Sequence, residues 1–395
     1  MFCPTLFCHS RFHVGSLVTR IATYILLIIG LVPPAVSTAQ QADPKLHAQI
    51  SALVDAAIQD GDLPGAVVCF ADRNQIRYLQ TFGDRQVEPD TLPMTTDTVF
   101  DLASITKPVA TATSIALLSQ RGKIDLNAPV SQYLPEFTGH KKETITVAQC
   151  LLHVSGLTPD NALADYQDGP DTAWRRICEL NLRSDPGTKF AYSDVGFIVL
   201  GKLVEKVSGQ PLDVFAKQNV FGAIGMDETT FNPPSHLTAR AAPTEKQSDG
   251  WLQGEVHDPR ASRLGGVAGH AGLFSTVNDL VTFGQELLAA SRGESSVIEQ
   301  ETFDRMTAPH PVPADHPRGT RTLGWDHQSP YSSNRGTALS DSAFGHGGFT
   351  GTVLWIDPDK DLIFIFLSSR LHPDGKGSVN HLAGEIATLV AGGSR

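Results

Sequence analysis

The sequence predicts an α+β domain whose antiparallel sheet is assembled from both ends of the chain. Three observations carry this. Strand-like apolar runs lie near the start, Ala66 to Phe70 and Ile76 to Phe82, and near the end, Thr352 to Ile356 and Leu362 to Leu367. Helical periodicity brackets them: Leu46, Ile50, Leu53, Val54, Ala57 and Ile58 share one face, and a closing helix runs from about Val379 to Val390. The stretch from about 123 to 200 is mixed and mostly helical. With no internal repeat and no linker, residues 40–395 read as one domain with a helical subregion.

The elements follow in order. Arg11 and Arg20 precede the apolar run Ile21 to Val32, followed by Pro33, Pro34 and small residues at Ser37 and Ala39. This pattern predicts a signal peptide over 1–39, cleaved after Ala39, and hence an exported protein, periplasmic or secreted. The run is shorter than the roughly 18 to 20 residues of a spanning helix, and only an uncleaved segment would tether the chain to a membrane. The first helix opens at Asp43-Pro44 and stops at Gly61; Asp72-Arg73-Asn74 turns the first strand pair. A second helix covers Thr106 to Gln120 and stops at Gly122. A third covers Phe197 to Val207, ending at Gly209. Residues 231 to 270, rich in Pro, Gly and polar side chains, form a long loop. Asp279 to Ala290 is helical, and Asp357 to Lys360 turns the last hairpin.

Composition removes several classes. The 31 Lys and Arg face 42 Asp and Glu, a formal net charge of −11, with no basic run, which excludes a general nucleic-acid binder. The same charge predicts no strong attraction to anionic lipid or wall polymer. The 35 Gly and 25 Pro exclude a coiled coil or helical solenoid. Cys3 and Cys8 lie in the signal; Cys69, Cys150 and Cys178 fit no zinc or redox spacing. They read as buried free thiols, the alternative being one disulfide and one thiol. Trp325 and Trp355 read as core or pocket wall, and Asp97, Asp101 and Asp125 as turn or capping residues.

Common hydrolase signatures are absent: there is no G-x-S-x-G, H-E-x-x-H, Walker A or strand-linked G-x-G-x-x-G. His257-Asp258 and His270 lie in a Gly-rich stretch without metal-ligand spacing, so they read as loop histidines that order a turn or line a pocket. No metal and no cofactor are implied. What stands out is Ser104-Ile105-Thr106-Lys107, an S-x-x-K. Pro108 clashes with the carbonyl four residues back unless Ser104 sits in the first helical turn, where the dipole favours negative charge. Three residues apart, Lys107 reaches Ser104, and a Lys in a dry cleft has a lowered pKa and acts as a base.

From these residues the chain resembles the serine β-lactamase and penicillin-binding protein superfamily. Phe100 to Phe137 carries the likeness, in the branch of class C β-lactamases, D-alanyl-D-alanine carboxypeptidases and related esterases. Leu151 to Leu157 resembles the Ser-Gly-Leu segment of that branch, and Tyr192-Ser193-Asp194 stands where it usually has Tyr-x-Asn. Gly345-His346-Gly347-Gly348-Phe349-Thr350-Gly351 resembles the third motif, usually Lys-Thr-Gly and often His-x-Gly. His257 to Thr276 is similar to weak periplasmic carboxypeptidases of the penicillin-binding-protein-4B type. The likeness spans about 45 to 395.

The resemblance implies a β-lactamase-like fold, an antiparallel sheet flanked by helices, and an acyl-enzyme on Ser104. Lys107 would take its proton. Tyr192 would shuttle that proton and later activate water, which needs positive charge nearby. The N–H groups of Ser104 and Phe349 would form the oxyanion hole. His346, Gly347 and Gly348 would edge the pocket, the glycines allowing close backbone approach. Reading Ser193-Asp194-Val195 as Ser-Asp-Asn instead puts Val195 in the amide position. The implied substrate is a peptidoglycan D-alanyl peptide, with a carboxylesterase or β-lactamase as alternatives, and a non-catalytic wall- or β-lactam-binding protein as the alternative of another class. Two departures bear on this. Asp194 replaces an amide donor and could hold Lys107 charged. His346 replaces a fixed cation with a group titrating near neutrality, so carboxylate recognition should be weak and pH-dependent. Arg370 could supply that recognition instead.

Overall fold

The computed structural model describes residues 43–248, 250–313 and 319–393. The signal expected over 1–39 lies outside them. No helix among the described residues is long and apolar enough to cross a membrane.

Helix α1 (Pro44–Gln59) starts where Asp43 accepts the Lys45 N–H. It leads into strands β1 (Gly65–Ala71) and β2 (Ile76–Gln86). Helix α2 (Thr113–Gln120) follows a 3₁₀ turn at Ala103–Ile105 and a π-helical stretch at Lys107–Ala112. Helix α3 (Asp194–Ser208) begins three residues before Phe197, where the sequence reading opens it, because the Ser193 hydroxyl caps it by accepting the Gly196 N–H. It ends at Gly209, which takes the left-handed turn. Helix α4 (Val277–Ala290) is capped by Thr276. Strands β3 (Phe344–Gly348), β4 (Thr352–Asp357) and β5 (Leu362–Ser368) precede the closing helix α5 (Asn380–Gly393).

Both chain ends meet in one antiparallel sheet: β2, β1, β5, β4 and β3 lie side by side, with Val67 opposite Leu367 and His346 opposite Leu354. Leu92–Pro93 extends one edge. Asp326–Gln328, Thr320–Arg321 and His310–Pro311 extend the other. These last three are two or three residues long, too short for an alternating pattern, and carry no strand signal in the sequence. β5 is buried throughout. Leu362, Phe364 and Phe366 pack under α1 and α5, while Ile363, Ile365 and Leu367 face α4 and the helical region. Each such side chain contributes about 1.5–3 kcal/mol of burial. This explains why β5 reads as continuous apolar sequence.

Among the described residues no strand lies between Asp101 and Thr230; the intervening chain carries short helices beside α2 and α3. The 231–270 segment is mostly loop, with short helices at Ser235–Thr238 and Pro259–Arg263 and a two-residue strand pair. Cys69, Cys150 and Cys178 are free thiols. Trp325 and Trp355 are fully buried.

Candidate active site

Ser104 sits on a strained turn. Ala103 before it has φ 45°, a left-handed conformation costly for a residue with a Cβ. The turn is braced from several sides. Asp101 accepts the Ala103 N–H (2.8 Å) and the His257 N–H (2.8 Å). Thr350 donates to the Asp101 carbonyl (2.6 Å) and Thr352 to that of Leu102 (3.2 Å). Asp101 is thus a buried brace, where the sequence suggested a simple cap. Burial pushes its carboxyl up to about 6 against those N–H bonds. Ser104 lies in the 3₁₀ turn ahead of Pro108, and the π winding that follows lets the Thr113 N–H reach the Pro108 carbonyl.

Lys107 is completely buried. Its Nζ donates to Ser104 Oγ (2.8 Å) and to the His270 carbonyl (3.2 Å), and lies 2.7 Å from Asp194 Oδ1. It also lies 4.8 Å from the Tyr192 ring centre. Burial opposes its charge, but Asp194, and after it Tyr192, outweigh burial and hold the amine above its ordinary value. This corrects the expectation of a lowered Lys107: the dry cleft is present, but Asp194 enters it from the first turn of α3.

Tyr192 stacks on His153, ring centres 4.3 Å apart. His153 Nδ1 accepts the Ser193 N–H (2.9 Å), so it fixes the segment bearing Tyr192 and Asp194. Val195 is fully buried in the apolar core, which disfavours the alignment that puts it in the site.

The third motif forms β3 and its turn. His346 is buried, and its Nδ1 lies 2.8 Å from the Gly347 carbonyl. Burial first, then Arg321 and Lys107, hold it well below the ordinary histidine value. It is therefore neutral near pH 7, not titrating there as the sequence suggested. The two glycines admit the protein's own neighbours. A Cβ on Gly348 would collide with the Leu102 carbonyl and the Thr352 hydroxyl, and one on Gly347 with the Asn334 amide. Phe349 follows, 60% exposed. Arg370 donates from Nε to the Phe349 carbonyl (2.8 Å) and from Nη1 to the Gly377 carbonyl (2.8 Å), so two of its nitrogens brace the turn.

His270 and Asp258 form a pair (2.9 Å). The His270 bond, its charge, the Ala261 N–H and Lys107 overcome burial and hold Asp258 well below the carboxylate range. Asp194, Asp258 and His270 each offer an atom within 4.8 Å of the others, and the Lys107 ammonium already sits against Asp194.

Arg321 carried no sequence signal. It lies on a two-residue strand and is fully buried, pairs with Asp326 (3.2 Å) and sits 5.8 Å from the Tyr192 ring centre. Its Nε and Nη2 find no acceptor among the described residues. Tyr331 carried none either: 52% exposed, it lies 5.1 Å from Tyr192, ring centre to ring centre.

Comparison with known proteins agrees with this geometry. The Beta-lactamase family profile matches residues 50–388. The N-acetylmuramyl-L-alanine amidase of Bacillus subtilis (strain 168) is 33% identical over 93% of this chain and 91% of its own. A putative D-alanyl-D-alanine carboxypeptidase of Escherichia coli (strain K12) is 30% identical over 79% of this chain and 80% of its own. The solved structure of a class C β-lactamase superposes with a TM-score of 0.72 at 17% identity, covering 90% of this chain and 99% of the other. Sheet, helical region and profile together make this chain a member of the β-lactamase family, a hydrolase of the serine β-lactamase and penicillin-binding-protein type.

Proposed function

We propose that the chain is an exported serine amidase acting on peptidoglycan-derived peptides through an acyl-enzyme on Ser104. The observation that carries the reading is the Lys107 amine, held 2.8 Å from Ser104 Oγ and 2.7 Å from Asp194. Ser104 Oγ attacks the amide carbonyl carbon while the N–H groups of Ser104 and Phe349 receive the developing oxyanion. Lys107 is kept charged, so the serine proton passes to the oxygen of Tyr192, which enters the cycle as its phenolate. Lys107, 4.8 Å from the Tyr192 ring centre, and Arg321, 5.8 Å from it, supply positive charge beside that phenolate. Tyr192 then delivers the proton to the leaving nitrogen as the C–N bond breaks. Water, relieved of a proton by Tyr192, opens the ester and restores Ser104.

The choice of bond draws support from the other side of the site. A terminal D-alanyl-D-alanine presents a free carboxylate beside the scissile amide. His346, at the usual cation position, is neutral, and Arg370 has two nitrogens committed to carbonyls. The amide between a muramyl lactyl group and L-alanine has no such carboxylate, and the Bacillus subtilis relative bears the name of that activity. We therefore place the muramyl–L-alanine amide first. D-alanyl carboxypeptidase activity is the second reading, favoured by the Escherichia coli relative. Export rests on Arg11, Arg20 and the apolar run Ile21 to Val32.

The test is turnover by residues 40–395 of N-acetylmuramyl-L-alanyl-D-isoglutamine, a D-alanyl-D-alanine peptide and a p-nitrophenyl acyl ester, with intact-mass detection of a penicillin adduct. Release of L-alanyl-D-isoglutamine as the fastest reaction supports the proposal. Faster D-alanine release moves the reading to the carboxypeptidase, and ester turnover alone to an esterase. A folded chain that turns over none of the three is a binding protein.

A further inference from the structure

Among the described residues, the large apolar side chains that stand exposed are Phe349, at 60%, and Tyr331, at 52%. Tyr331 lies against Tyr192, and Phe349 stands between Gly348 and Thr350, which touch Leu102 and Asp101 just before Ser104. Leaving an aromatic ring in water forgoes its burial energy.

The two rings are held differently. Tyr331 packs against Tyr192 and Phe190 and so leans on the proton-handling groups. Phe349 is held away from them on a built support. The Arg370 guanidinium lies 4.5 Å from its ring centre while bonding the Phe349 carbonyl. The His257 ring stacks at 5.7 Å and 27°. His257 is itself fixed, its N–H donating to Asp101 (2.8 Å) and its Nε2 lying 3.2 Å from Glu245. A guanidinium and an imidazole thus pack against this half-open ring, with the Glu245 carboxylate held behind the imidazole.

That combination does not suit an acyl chain, which asks for an enclosed apolar pocket. It suits a pyranose, whose C–H groups lie against an aromatic ring while its hydroxyl and acetamido groups bond to polar neighbours. We propose that Phe349, backed by Arg370 and His257, is a binding platform for an N-acetylated amino-sugar ring. The proposal rests on the amidase reading for its substrate: the platform holds the sugar whose lactyl arm presents the amide to Ser104. The platform sets specificity, separately from the proton transfers.

The test compares two amides in one enzyme. One is N-acetylmuramyl-L-alanyl-D-isoglutamine; the other is the same amide with a methyl group in place of the sugar on the lactyl oxygen. The wild-type chain is expected to favour the muramyl compound in kcat/KM by about tenfold or more, the scale of a good aromatic contact. Phe349→Ala is expected to collapse that ratio toward one, and Phe349→Tyr to restore it. Tyr331→Ala is expected to lower both substrates alike and leave the ratio. Equal rates for both amides in the wild type, or a ratio that falls with Tyr331→Ala and survives Phe349→Ala, overturns the platform. A binding arm separates this from failure of the amidase reading. Saturation-transfer NMR on the Ser104→Ala chain with methyl N-acetylmuramic acid should show contact with the sugar that Phe349→Ala abolishes. If neither amide is cleaved but this contact appears, the amidase reading falls and the platform stands. If no contact appears, the platform falls.

Discussion

The two walls of the cleft are built on opposite electrostatic plans. The wall carried by α2 and α3 concentrates charge out of water: Lys107 is fully buried against Asp194, with His270 and Asp258 paired behind. The wall carried by β3 is neutral, offering His346 in its uncharged form, two glycines and an exposed phenyl ring. Burying a cation is costly unless it is paired. On the first wall the Asp194 carboxylate, 2.7 Å from the amine, offsets that cost. The second wall has given up the fixed positive charge usual in the branch the sequence resembles. Chemistry and recognition are separable here, and a site can keep the first while changing the second.

The largest expected effect lies on the charged wall. Ser104→Ala should lower kcat by about 10⁴-fold or more, the scale of losing a nucleophile that acts with its base as a unit. Initial rates with the preferred amide, and loss of any penicillin adduct by intact mass, check this. A residual rate within tenfold of wild type would place the nucleophile elsewhere.

Asp194→Asn comes next. It leaves the Lys107 ammonium buried without its carboxylate, which should destabilise the fold by about 3 kcal/mol in urea titration. Asp194 raises the amine and burial lowers it, so removing Asp194 moves the Lys107 ionisation downward. The basic limb of the kcat/KM profile should shift to lower pH. A stable variant with an unmoved profile would mean that the 2.7 Å contact is incidental.

Asp101 gives a smaller, pH-dependent effect. Its carboxyl is raised to about 6 in the fold. The folded chain thus holds this proton more tightly than the unfolded chain, and the stabilisation present at low pH is lost as pH rises through about 6. Asp101→Asn is neutral at every pH. Relative to wild type it should gain about 2.5 kcal/mol between pH 4 and pH 8, each tenfold difference in proton affinity being worth about 1.4 kcal/mol. Paired urea titrations at the two pH values read this difference directly.

What the sequence made legible divides along similar lines. Long elements with sustained periodicity, α1, β1, β5 and α4, were readable because each buries a face of the kind its pattern announces. Ser104, Lys107 and Tyr192 were readable because a local spacing rule and a motif order carry them. Arg321 was not, because its two-residue strand owes its position to pairing with neighbours rather than to its own pattern. The electrostatic state of His346 was not readable either, because it depends on burial and on Arg321 arriving from another strand; that of Lys107 was half readable, since the motif order had already set Asp194 beside it as a group that could hold it charged.

The smallest expected effect is the most discriminating test of the neutral wall. A D-alanyl-D-alanine peptide and its C-terminal amide differ only in the carboxylate that His346 would face. A histidine titrating near its ordinary value, about 6.5, would favour the acid form below that pH and lose the preference above it. His346 is held well below that value by burial and by two cations, so it stays uncharged across the working range. The ratio of kcat/KM for the two peptides should remain within about twofold of one and flat from about pH 5.5 to 8, since about 1.4 kcal/mol of carboxylate recognition would already open a tenfold preference. A ratio that climbs on acidification with a midpoint near about 6.5 would make His346 a working carboxylate receptor. It would return the terminal D-alanyl bond to first place, because the neutrality of that wall is the physical reason for preferring the muramyl amide.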